Sequence, residues 1–185
     1  MGKPKKINFE IISDEHESYR ILDEIRSEHH EETASARIAL AWQKGIKPDT
    51  DGHIVLGKCV KMSDPQKQFI PFDFVIVLNR ETYNDIRFTT HMKQALLHHE
   101  MLHAARSYDN EGEPKVDERG HPVWRTRQHD IQEFTEVVRI YGTYKRDLEQ
   151  FAEALLKSKK PSLFKQEAQE EDDTVLSDDM AQAIQ

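Results

Sequence analysis

The run Gln94-Ala95-Leu96-Leu97-His98-His99-Glu100-Met101-Leu102-His103-Ala104-Ala105 decides how the rest of the chain is read. No Gly or Pro interrupts residues 90–106, and Ala, Leu, Met and Gln favour a helix. Residues four apart on a helix stand one above the other, so His99 and His103 can reach a common point. Glu100 lies about 100° round the axis from His99, beside that point rather than on it. The pattern is H-E-x-x-H: two imidazole ligands for zinc, with a carboxylate placed as general base. Met92, Ala95, Leu96, His99, Leu102 and His103 follow i, i+3, i+4 spacing, which predicts both imidazoles on a buried stripe. Buried ring nitrogens need partners, and a metal supplies one. Three fixed letters in five also arise by chance in a chain with 10 histidines, so the reading calls for a third ligand.

A catalytic zinc takes three protein ligands and keeps one position open. Downstream, Ile131, Phe134, Val137, Val138 and Tyr141 mark a helix face that Tyr144, Leu148, Phe151 and Leu155 continue. His129 and Glu133 are i, i+4 beside it. His129 is favoured as third ligand on ligand type; Glu133 is the alternative, or a carboxylate that orients an imidazole. In a closed structural site, His98 or Asp130 would be the fourth ligand. The plain alternative is a helix-start histidine beside a capping Asp130, with Glu133 solvated. Tyr141, Tyr144 and Arg106 are the candidates for an oxyanion partner.

Outward from these stretches, residues 7–12 read as a short strand or arm and 14–30 as a helix capped by Ser13 or Asp14, with Tyr19, Leu22 and Ile25 inward. The adjacent His29 and His30 face different ways on that helix and are assigned to solvent. A second helix is predicted over 33–44, with Ala34, Ile38, Ala41 and Trp42 inward and Gly45 ending it. Residues 53–62 and 71–79 read as strands, the second apolar on both faces. Residues 63–69 are a linker, and a turn at 117–120 suggests a hairpin before the last helix. The divisions expected are an arm over 1–12, a domain over 13–160 and an acidic, disordered tail over 161–185.

The chain has 185 residues, 32% charged, with net charge −8. Seven acids and no Lys or Arg lie in 166–185, so the remainder is nearly neutral and gives no argument for nucleic acid. No apolar run approaches the roughly 18 residues of a membrane span, and no apolar segment follows the basic start, so secretion is not expected. The one cysteine, Cys59, excludes an internal disulfide and suits a reducing cytoplasm.

Several separate pieces together resemble the putative phage metallopeptidase family. They are Ala36-Arg37-Ile38-Ala39, Val55-Leu56-Gly57-Lys58, Asp73-Phe74-Val75-Ile76, the run from Ala95 to His103, His129-Asp130-Ile131-Gln132-Glu133-Phe134, and Val137-Val138-Arg139-Ile140-Tyr141-Gly142. They recur in the family's order over about residues 13–156, departing at His98, where the family pattern has an acidic residue. The resemblance implies an α+β, minimal-zincin-like domain: N-terminal helices, a short mixed sheet, the metal helix and a late C-terminal helix. It implies a zinc-dependent peptidase acting on a peptide or protein, located in the host cytoplasm if phage-encoded. The rival is a zinc-stabilised binding or regulatory protein that keeps the site without hydrolysis. A water-accessible metal position separates the two.

Overall fold

Ile38–Gln43 is a strand (β2), where the apolar spacing had suggested a helix. Five of its six residues are buried, because both faces of the strand are covered. A run apolar on both faces satisfies helical spacing and strand alternation equally, and short runs of this kind are decided by their neighbours. Here the neighbour is Phe74–Asn79 (β4), paired with β2 in parallel register, Ile38 opposite Phe74 and Trp42 opposite Leu78. Phe9–Ile11 (β1) pairs antiparallel on the other side of β2, and Gly57–Lys61 (β3) pairs antiparallel with β4. The four-stranded sheet runs β1-β2-β4-β3, so β3 is an edge strand. The computed structural model describes residues 8–158; the acidic tail expected over 161–185 lies outside them.

One sheet face carries Ile38, Leu40, Trp42, Phe74, Ile76 and Leu78 into the core. Helix Glu17–His29 (α1) turns Ser18, Ile21, Leu22 and Ile25 toward it. The His16 imidazole caps α1, accepting the Ser18 N–H at 3.2 Å, two or three positions later than the expected Asp14 or Ser13. Helix Thr90–His103 (α4) packs beside α1, its start capped by Thr89 accepting from the Met92 N–H. Its buried arc is Leu97, Glu100 and Met101, followed by Ala104. Fully burying one such Leu or Met is worth about 1.5–3 kcal/mol, so this arc sets the helix's rotation. Two short helices, Asp64–Lys67 (α2) and Arg80–Tyr83 (α3), flank β4; the first lies inside the expected linker.

At His103 the helix stops and the chain extends as Ala104–Arg106 (β5), paired antiparallel with Trp124–Thr126 (β6). Between them are two tight loops rather than one. Asp109 Oδ1 accepts the N–H groups of Glu111 and Glu113, each at 2.9 Å. Asp117 Oδ1 accepts those of Arg119 and His121, each at 2.8 Å. Each loop has its glycine at φ near +80° (Gly112 +86, Gly120 +80), where a side chain would be strained.

The chain divides into two compact units, Met1–Gln128 and His129–Gln185. In the second, residues 129–134 are not helical; the helices are Thr135–Tyr141 (α5) and Arg146–Lys157 (α6), separated at Gly142 (φ +68°). The expected helix over His129 and Glu133 is therefore absent. Glu133 instead accepts the N–H of the next residue, Phe134, at 2.9 Å. Local side-chain bonds of this kind compete with a helix start. No helix among the described residues is long and apolar enough to cross a membrane. The described architecture is α+β, with six α-helices and a small mixed sheet.

Candidate metal centre

His99 and His103 stand one turn apart on α4, ring centroids 5.0 Å apart and nearly perpendicular at 80°. Neither is buried as the stripe reading expected: His99 is exposed and His103 half-buried. The core takes the arc 97/100/101, one step round the helix, because it pairs Leu97 with Met101 and continues to Ala104. The imidazoles are thereby left on the flank of the packed face.

His103 is held by the chain that returns from β6. Its Nδ1 is 2.7 Å from the Arg127 carbonyl oxygen, and the Arg127 N–H donates to the His103 carbonyl at 2.9 Å. A carbonyl can only accept, so Nδ1 carries the proton and the ring's lone pair lies on Nε2. This is the usual way a ligating histidine has its tautomer and ring plane set. His99, His103 and His129 each offer one ligand atom, and these atoms lie within 4.8 Å of one another. Three imidazole nitrogens are a donor set suited to a transition metal. A second group, Asp49, Asp51 and His53, is exposed, and Asp49 Oδ1 already accepts the N–H groups of Asp51 and His53.

Glu100 is only 3% exposed and points toward β3. In the β3–β4 ladder, Asn79 N–H donates to Leu56 O and Met62 N–H to Asp73 O, both at 2.8 Å. Alternation along an antiparallel pair then turns the N–H and C=O groups of Gly57, Cys59 and Lys61 to the outer edge. The Cys59 N–H lies near enough to the Glu100 carboxylate to lower its pKa, and Oε2 of that carboxylate is buried with no hydrogen-bond partner. Burial pushes the Glu100 pKa up, opposed by the charge of His103 and by the Cys59 N–H. The adjacent Cys59 thiol is raised to about 12, by burial first and then by Glu100.

The remaining candidates lie elsewhere. His98 packs on the α1 side, with His29 and His30 ring centroids each 4.9 Å away. His30, expected in solvent, is 7% exposed, and its pKa is lowered to about 4 by burial and by its two histidine neighbours. Asp130 is exposed, next to His129 in a bend. The Glu133 carboxylate is taken by Lys145 Nζ at 2.6 Å and by the Tyr144 hydroxyl, which lower its pKa to about 2. Of the oxyanion candidates, Arg106 lies over Trp124 at 5.2 Å, Tyr144 bonds to Glu133, and Tyr141 is 71% exposed.

Sequence reasoning passed over two contributors. One is the Arg127 carbonyl, a backbone group that leaves no letter in the sequence. The other is Gly57, whose place inside a strand was the available signal, since such glycines often mark close approach. The family model described as putative phage metallopeptidase matches residues 9–156. No curated protein and no solved structure matches the chain.

Proposed function

The chain belongs to the putative phage metallopeptidase family, and from that premise we propose that it is a zinc-dependent peptidase with Glu100 as general base. The observation that carries the reading is the nearness of His129 to His99 and His103, the two histidines of a helix whose intervening Glu100 is buried. The family implies a metal, and three imidazoles fit zinc with a fourth position left for water or substrate. When bound, zinc supplies a Lewis acid that acidifies water to a pKa of about 7 and polarises the scissile carbonyl.

The protein's own residues do the rest. The Arg127 carbonyl fixes the His103 tautomer, so that Nε2 presents its lone pair without rearrangement. Glu100 accepts a proton from the attacking water and returns it to the departing amine, so its carboxylate ends as it began. Desolvation raises its basicity. The substrate class is a peptide or protein, and His98, Asp130 and Glu133 are not required as ligands.

Metal analysis of the purified protein tests the site. The expected result is one zinc per chain, lost in the His99→Ala, His103→Ala double variant. Full zinc content in that variant would overturn the assignment.

A further inference from the structure

We propose that Gly57 is the positioning residue for Glu100: the Cβ missing from edge strand β3 is the space its carboxylate occupies. The inference rests on the reading of Glu100 as general base and extends it to a residue on the strand that faces it. A Cβ built on Gly57 would stand 2.8 Å from Glu100 Oε1 and 3.2 Å from both Cδ and Cγ. The first distance is below any ordinary contact, and the other two are tight.

The other described glycines provide the contrast. Gly45, Gly52, Gly112, Gly120 and Gly142 all have positive φ and nothing within 4 Å of a built Cβ, so backbone conformation explains them. Gly57 is the reverse case. Its φ is outside the left-handed region, and its Cβ space is filled by one side chain. A glycine inside a strand weakens the strand, and the local backbone does not require this one. What it permits is close approach of α4, with Glu100 resting on the strand and reaching the outward Cys59 N–H two residues on.

A methyl group at position 57 must displace the far end of Glu100, because the strand is held on its inner side by β4. Glu100 is flexible at its end, so the fold survives while the carboxylate leaves its seat. Misplacement of a reacting group by about 1 Å can cost on the order of 100-fold in rate. Gly57→Ala is therefore expected to lower kcat about 10- to 100-fold, with KM and zinc content unchanged. In the Gly57→Ala background, Glu100→Asp shortens the side chain by one methylene, and it should cost less there than in the wild-type background.

A thermal cycle makes the contact testable without activity. Gly57→Ala should lower Tm by roughly 1–6 °C when Glu100 is present, and leave it unchanged or raised when Glu100 is Ala. An equal fall in both backgrounds, or an unchanged kcat in Gly57→Ala, overturns the proposal. If the wild-type protein cleaves no peptide, the peptidase reading falls alone, and the thermal cycle still decides whether Gly57 seats Glu100.

Discussion

Replacing Glu100 with Gln separates a peptidase from a protein that merely holds zinc. The substitution keeps the size of the side chain and the acceptor for the Cys59 N–H, but removes the proton-accepting oxygen. Loss of a general base costs about 10²- to 10⁴-fold, equivalent to roughly 3–5 kcal/mol of barrier. Stability should respond far less, because two effects oppose each other. Burial raises the Glu100 pKa above its usual value, so ionisation of this group works against folding above the unfolded-state pKa, and the amide removes that penalty. Against this, the new amide donor at the partnerless Oε2 position costs about 1–3 kcal/mol if unsatisfied. A Tm within about 5 °C of wild type is the expected net result, with zinc content unchanged. The assay is a broad peptide library with mass-spectrometric readout, run beside metal analysis and thermal melting. Cleavage by Glu100→Gln at the wild-type rate would refute the base assignment. A wild-type protein that cleaves nothing, with a fourth protein ligand closing its zinc, would favour the regulatory reading.

The other expectations are briefer. His129→Ala should weaken zinc binding more than Glu133→Gln, by competition against a chromogenic chelator; the reverse order would make Glu133 the ligand. The Glu133 carboxyl should titrate at about 2 rather than 4.5 by carbon-detected NMR, and Lys145→Met should return it toward 4.5. Because the folded value is depressed, its stabilising contribution is complete above about 4.5 and is lost as pH falls toward about 2. Truncation after Phe164 should leave Tm and zinc content intact, since the seven acids of residues 166–185 accompany few large apolar groups; a large fall in Tm would show that the tail packs on the body.

Elements with one readable period could be identified before the fold was known. Helix α1 alternates its buried Ile21, Leu22 and Ile25 with charged residues, and β4 is an unbroken apolar run of strand length. Two segments misled for different reasons. Residues 38–42 of β2 are apolar on both faces, so any period fits them, and their pairing with β4 and β1 makes them a strand. Residues 129–134 carry helical spacing, yet Glu133 spends its carboxylate on the Phe134 N–H, Lys145 and Tyr144. Spacing records where apolar groups could align; it does not record which polar group takes the first free N–H.

The same distinction explains why the helix carrying the motif could be identified and its orientation could not. The letters of H-E-x-x-H place two imidazoles a turn apart on any α-helix, whatever its rotation. Which side faces the core depends on what lies opposite. On α4 two arcs compete: 95/99/102, ending in histidine and leucine, and 97/100/101, ending in methionine and leading into Ala104. The second prevails although it carries a carboxylate inward, and an unpaired buried carboxylate is ordinarily costly. Its burial is tolerable because the facing strand has no Cβ at Gly57 and turns the Cys59 N–H toward it. That leaves His99 exposed, His103 half-buried and Glu100 desolvated, as the proposed ligand and base roles require. A rotation of one residue would bury the two imidazoles and expose Glu100, so under the proposed roles the strand opposite the motif decides whether the helix can carry them.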